Sequence, residues 1–123
     1  MDNAILQIQN ITGICVVRIN SKKLYQHESA RFRGEMIALL ETGCQHLVLD
    51  LSEVRVMNSS AIGVVLLSAD QVKKRGGELA VGGLNPLLKE LFERMYLNTL
   101  FAIVETADQA VSLIQGHKKI PAT

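Results

Sequence analysis

The chain has 123 residues, 48% of them apolar, and a formal net charge of +1, which is typical of one globular domain and gives no electrostatic reason to expect direct nucleic-acid binding. Its longest apolar run, Ala61–Leu67, is too short to cross a membrane, and the first residues lack the pattern of a signal peptide. We therefore expect a cytoplasmic protein that contacts neither nucleic acid nor a membrane directly.

The first third of the chain predicts a β-hairpin followed by a helix. Ala4–Gln9 and Ile14–Ile19 are rich in β-forming residues, and Gly13 supplies a turn between them. The polar segment Ser21–Gln26 is predicted to be a loop. A helix is expected over residues 29–41, because apolar residues recur there at helical spacing. These residues are Phe32, Met36, Leu39 and Leu40.

The rest of the chain alternates strands with helices. Consecutive apolar residues in His46–Leu51 predict a strand that is buried on both faces. Asn85 followed by Pro86 is a strong helix start. Further strands are predicted at Glu78–Val81 and Thr99–Val104, and further helices at 60–75, 86–95 and 107–115.

The order β-β-α-β-α-β-α-β-α predicts an α/β fold in which four helices accompany a mixed β-sheet. We expect a single domain over residues 1–116 and a frayed C-terminal tail over residues 117–123.

Cysteines and histidines predict neither a metal site nor a cofactor. Cys15 lies in an apolar strand pattern and Cys44 follows a glycine at a loop. Reduced thiols are expected, because disulfides are rare in the cytoplasm, and a disulfide between the two is the alternative. No histidine or cysteine pair has the spacing of metal ligands, so we predict no metal. The scattered histidines are His27, His46 and His117.

The strongest functional signal is the junction Asn58-Ser59-Ser60, where a strand pattern gives way to a helical one. The first amides of a helix have no intrahelical partners, so a serine there can cap the helix. The same amides and the helix dipole also favour a phosphate at this place. Ser60 is therefore a candidate helix cap or a candidate phosphorylation site.

The second helix has apolar residues on two opposite sides. At ~100° per residue, Ile62 and Val65 fall on an ordinary core face, whereas Val64 and Leu67 fall on the side of Ser60. One interpretation is that another element, such as a neighbouring helix, covers Val64 and Leu67. The alternative is an exposed apolar patch beside the serine that binds a partner.

This pattern resembles the STAS domain, the fold shared by anti-sigma-factor antagonists and the cytoplasmic tails of sulfate transporters. The resemblance rests on Leu47–Ser52, on Asn58–Gly63 and on Gly76–Leu79. Pro86–Phe92 and Phe101–Leu113 add to it, so that it covers the chain from about residue 47 to residue 113.

The resemblance implies a protein-binding switch. In the bacterial antagonists the motif reads Asp-Ser-Ser-Gly, and a partner kinase that is also the anti-sigma factor phosphorylates the second serine. Ser60 matches that serine, with Ser59 as the less favoured acceptor. Unphosphorylated chain would sequester the serine-kinase anti-sigma factor, and a phosphatase would be a further partner. The implied partner-binding residues are Asn58, Ser59, Ser60, Val64 and Leu67.

Three positions differ from the family pattern. Asn58 replaces the acidic residue of the motif, Ala61 replaces its glycine, and Tyr25 stands where an aspartate usually follows a leucine in the loop before the first helix. The alternative function is a STAS subunit of a stress-signalling assembly or of a membrane transport complex, without a phosphorylation switch.

An enzyme is not expected. A serine at a strand-to-helix turn is also found in the nucleophile elbow of hydrolases, but that motif needs glycine on both sides of the serine. Here the flanking residues are Asn58 on one side and Ala61 or Gly63 on the other, and no histidine is placed to act as the base. We therefore predict no catalytic residues.

Overall fold

Helices cover both faces of a five-stranded sheet in the computed structural model, which describes residues 4–117. The strands are β1 (Leu6–Ile11), β2 (Ile14–Ile19), β3 (Lys23–Leu24), β4 (His46–Asp50), β5 (Val56–Met57), β6 (Leu79–Gly82) and β7 (Ala102–Val104). The helices are α1 (Gln26–Glu41), α2 (Ser59–Lys74), α3 (Pro86–Arg94) and α4 (Ala107–His117), with a 3-10 turn at Leu97–Thr99.

The main sheet has the strand order β1-β2-β4-β6-β7. β1 and β2 pair antiparallel around a turn at Thr12 and Gly13, whose φ angles are 49° and 85°. The other pairs in this sheet are parallel. Helices join their strands, because a chain must cross over from the end of one parallel strand to the start of the next. The predicted mixed sheet with four helices is therefore confirmed.

β4 separates two apolar cores. Leu47 and Leu49 point to the face covered by α1, α2 and α3, and both are fully buried. Val48 points to the opposite face, where it packs with Ala110 and Ile114 of α4. The prediction that this strand is buried on both faces is confirmed.

The segment between β2 and α1 differs from its prediction. Residues 21–26 were expected to form a loop, but Lys23–Leu24 forms β3, which pairs parallel with β5. α1 then begins at Gln26 instead of residue 29. Strands of two residues are too short to show an alternating pattern, so the sequence could not reveal them.

Cys15 and Cys44 form a disulfide, so the prediction of reduced thiols is wrong. Their Cα atoms are 6.4 Å apart, within the usual range for a disulfide. The two residues come together because β2 and β4 are adjacent, with Cys15 aligned to Leu47. A separation of 29 residues along the chain hides this proximity.

Within residues 4–117, no group of three metal-ligating side chains is placed to hold an ion. None of the helices there has both the length and the hydropathy that crossing a bilayer would need. His117 ends α4, with its Nδ1 2.9 Å from a carboxylate oxygen of Glu78. The remainder of the predicted frayed tail, residues 118–123, lies outside the described residues.

Candidate functional site

Asn58 caps the N-terminus of α2. Its backbone is extended, and its Oδ1 accepts a hydrogen bond from the amide of Ala61 at 2.9 Å. Ser59 and Ser60 are therefore the first and second residues of the helix. The interpretation of Ser60 as the cap is wrong, because the asparagine two residues earlier already provides the side-chain acceptor.

Two further contacts fix the position of Asn58. The hydroxyl of Ser29 on α1 donates to Asn58 Oδ1 at 3.0 Å, and Ser29 is only 3% exposed. The backbone amide of Asn58 donates to the carbonyl of Leu24 at 3.0 Å, next to the β3–β5 pair. The hydroxyl of Ser29 and the amide of Ala61 both donate to Oδ1 of Asn58, so its Nδ2 remains available as a donor.

Ser59 and Ser60 are exposed. In the described part of the chain, neither hydroxyl has a hydrogen-bond partner. Their backbone amides belong to the first turn of α2, where a helix provides no acceptor. Ser60 therefore presents a free hydroxyl beside free amides at the positive end of a 16-residue helix.

A groove of about 400 Å³ lies between the N-terminal halves of α1 and α2. We call it the serine groove. Its walls come from two helices that run side by side in the same direction, because each follows one of two parallel strands. It is lined by Gln26, Ser29, Ala30 and Arg33 of α1 and by Asn58, Ser60, Gly63 and Val64 of the α2 side.

Val64 and Leu67 do not form an exposed patch. Val64 is only 1% exposed and belongs to the main core, so the expectation that it could contact a partner directly is wrong. Leu67 is half-buried and lines a continuation of the same furrow with Ile37 of α1. The interpretation in which a neighbouring helix covers this side of α2 is confirmed, and the helix is α1.

The sequence analysis missed Ser29 and Arg33. Both lie on one face of α1, where Gln26, Ser29 and Arg33 follow each other at helical spacing. This spacing was the only feature of the sequence that could have linked them to the site. Tyr25, which stands at the family's acidic position, is 44% exposed and precedes the first residue of α1. Its side chain makes no cap hydrogen bond to the helix.

Comparison with known proteins identifies the family. The family model for the STAS domain matches residues 6–110. An anti-sigma F factor antagonist from Paenibacillus polymyxa is 31% identical over 113 residues, which cover 91% of this chain and 93% of that protein.

Solved structures show the same fold. An anti-sigma factor antagonist from Mycobacterium paratuberculosis superposes with a TM-score of 0.80 at 19% identity, covering 89% of this chain and 92% of that one. The anti-sigma factor antagonist SpoIIAA in its unphosphorylated form gives a TM-score of 0.70 at 18% identity, covering 90% and 98%. SpoIIAA from Bacillus has also been solved in a phosphorylated form, which gives a TM-score of 0.68. The chain therefore belongs to the family of STAS domains that includes the anti-sigma-factor antagonists.

Proposed function

We propose that this chain is an anti-sigma-factor antagonist whose binding to a serine-kinase anti-sigma factor is switched off by phosphorylation of Ser60. The observation that carries the proposal is the free hydroxyl of Ser60. This hydroxyl is exposed and does not cap α2, because Asn58 does so. The antagonist from Paenibacillus polymyxa, which aligns with most of the chain, supports the class of function.

The electrostatics at Ser60 favour a phosphate on the folded chain. The kinase would transfer the γ-phosphoryl group of ATP to the serine oxygen and release ADP, while the hydroxyl proton passes to a base of the kinase or to solvent. The resulting phosphate group carries about two negative charges. The unpaired amides of Ser59 and Ser60 and the dipole of α2 stabilise negative charge there. A phosphatase would hydrolyse the phosphoserine and restore the hydroxyl, and we propose that both enzymes act on the chain in the cytoplasm.

The proposed binding surface is the exposed start of α2 with its flanks. Ser59 and Ser60 lie at its centre, Asn58 is partly exposed beside them, and Leu67 lies two turns further along the furrow. Val64 supports this surface from below. A phosphate would repel a partner by forcing it either to desolvate the charge or to move away. The chain acts in this scheme as a binding module and catalyses no reaction itself.

The test combines modification mapping with binding. We expect incubation with the cognate kinase and ATP to add phosphate to Ser60, detected by mass spectrometry, and Ser60→Ala to abolish it. We expect Ser60→Asp to weaken kinase binding and Ser60→Ala to bind as tightly as the unmodified chain. Ser112→Asp is the matched control, because Ser112 is an exposed serine on α4, which packs on the opposite face of the sheet.

Two results would refute the switch. One is the absence of phosphate from both Ser60 and Ser59 after incubation. The other is a Ser60→Asp variant that binds the kinase as Ser112→Asp does. A STAS subunit of a signalling or transport assembly, with no phosphorylation switch, would then be the better description. Asn58 and Tyr25 at the two usual acidic positions are the features of this chain that favour that second function.

A further inference from the structure

Among the residues that the structure describes, Arg33 is the only charged one lining the serine groove. It is exposed, and within residues 4–117 no carboxylate or carbonyl pairs with its guanidinium. Arg31, two residues earlier on the same helix, contrasts with it. Arg31 pairs with Glu35 at 3.6 Å and lies about 160° away around the helix axis.

Arg33 lies on the wall of the serine groove opposite Ser60. Side chains on an α-helix lean toward its N-terminus, so the side chain of Arg33 leans back toward the level of Ser29. Ser29 is the residue whose hydroxyl bonds Asn58, two positions before Ser60. Arg33 and Ser60 therefore line the groove from its two walls, and Arg33 also lines the continuation of the furrow beside Leu67.

The space between these two walls is open. Gly63 lies one turn after Ser60 on the groove side of α2, and a Cβ built there would meet no atom within 4 Å. The groove volume of about 400 Å³ is ample for a phosphate group on the serine. Neither a side chain at position 63 nor a competing carboxylate on the lining stands between Arg33 and such a group.

We propose that Arg33 binds the phosphate of phosphorylated Ser60 and so ties the modified start of α2 to α1 across the serine groove. This inference rests on the proposed modification of Ser60. A phosphoserine offers three strong acceptor oxygens, and a guanidinium donates two parallel hydrogen bonds to such a group. The free Nδ2 of Asn58 is a second donor on the groove lining. Aspartate at position 58 would offer no such donor and would repel the phosphate.

This contact changes what phosphorylation does to the chain. The phosphate would turn into the groove and fill it, so a partner would meet a closed groove as well as added charge. The modified domain would also be more stable than the unmodified one, because the phosphate links two helices. Without Arg33, the phosphate would keep only Asn58 Nδ2 and the weaker support of the helix start.

The experiment installs phosphoserine at position 60 during translation, so that no kinase is needed. Urea unfolding midpoints are compared for the phosphorylated and unphosphorylated forms of wild type, Arg33→Gln and Arg31→Gln. We expect phosphorylation to raise the midpoint in wild type and in Arg31→Gln, and expect Arg33→Gln to lose most of that increase. Arg33→Lys keeps the charge without the forked donors, so it should retain part of the increase.

The side-chain signal of Arg33 provides a second readout that a purely structural role would not move. In NMR spectra, the Nε–H resonance of Arg33 should shift on phosphorylation, whereas that of Arg31 should not. An equal midpoint increase in all three proteins would overturn the proposal. The outcome is independent of the kinase: Arg33-dependent stabilisation in a chain that binds no kinase would keep the phosphate contact and refute the proposed switch.

Discussion

Asn58 serves the backbone and the serine groove at once. Its Oδ1 accepts from the amide of Ala61 and from the hydroxyl of Ser29, which leaves Nδ2 free. The amide of Ala61 and the hydroxyl of Ser29 could donate equally well to a carboxylate oxygen at this position. The exchange of the family's acidic residue for asparagine therefore preserves the helix start and removes one negative charge from the surroundings of Ser60.

Substitutions at Asn58 separate the capping role from the charge. We expect Asn58→Ala to lower the free energy of unfolding by about 0.5–2 kcal/mol, the usual cost of losing a cap. Asn58→Asp should change it by less than about 0.5 kcal/mol, because aspartate caps as well as asparagine. Urea denaturation of the unphosphorylated proteins measures both values. Equal losses in the two variants would show that the amide group itself is needed.

At the level of single residues, the sequence locates the site but does not specify its roles. Asn58, Ser59 and Ser60 are all residue types that favour helix starts, so their run marks the junction without revealing which one caps. The contribution of Ser29 depends on a contact across 29 positions of the chain, and local spacing carries no information about it.

Among the elements, α1 both covers one side of α2 and lines the serine groove beside it. The periodicity of α2 correctly indicates two apolar sides, and Val64 on the second side is covered by α1. Which element would cover it was not predictable, because the answer depends on how two helices pack after their strands have paired. The α1 face that lines the serine groove also carries Arg33 and Ser29. The same face of α1 therefore covers Val64 and lines the serine groove.

The burial of Val64 predicts a strong effect of a charge there. We expect Val64→Asp to lower the free energy of unfolding by about 3–5 kcal/mol, because an unpaired carboxylate would be placed in a dry helix–helix contact. Leu67→Asp should cost distinctly less, since Leu67 is only half-buried. Urea denaturation provides the comparison. A loss of 1 kcal/mol or less for Val64→Asp would mean that α1 does not cover this residue in solution.

At the scale of the whole molecule, the parallel strands gather the helix starts at one edge of the sheet. α3 and α4 follow β6 and β7 of the main sheet, and α1 and α2 follow β2 and β4 after the short parallel strands β3 and β5. The N-termini of the four helices therefore lie at the same edge of the sheet as Ser60. The alternation of strands and helices made this arrangement predictable. The β3–β5 pair and the disulfide were not predictable, because one is too short to show a pattern and the other joins distant residues.

The disulfide predicts a redox-dependent stability. Closing a loop between residues 29 positions apart should contribute about 3–4 kcal/mol to the free energy of unfolding in the chain-entropy model. We expect a reducing agent to lower the urea midpoint of the wild-type chain accordingly. The control is the double variant Cys15→Ala/Cys44→Ala, whose midpoint should be the same with and without reductant. An unchanged wild-type midpoint would contradict the pairing.

The bond between Cys15 and Cys44 also has a topological consequence. It closes a covalent ring that contains the whole of α1, and with it Ser29 and Arg33. A protease that cuts once anywhere inside residues 16–43 would therefore leave both fragments joined. Such a chain would run as one band on a gel without reductant and as two bands after reduction. The helix that forms one wall of the serine groove could be cut from the chain on one side and still be held covalently through the other.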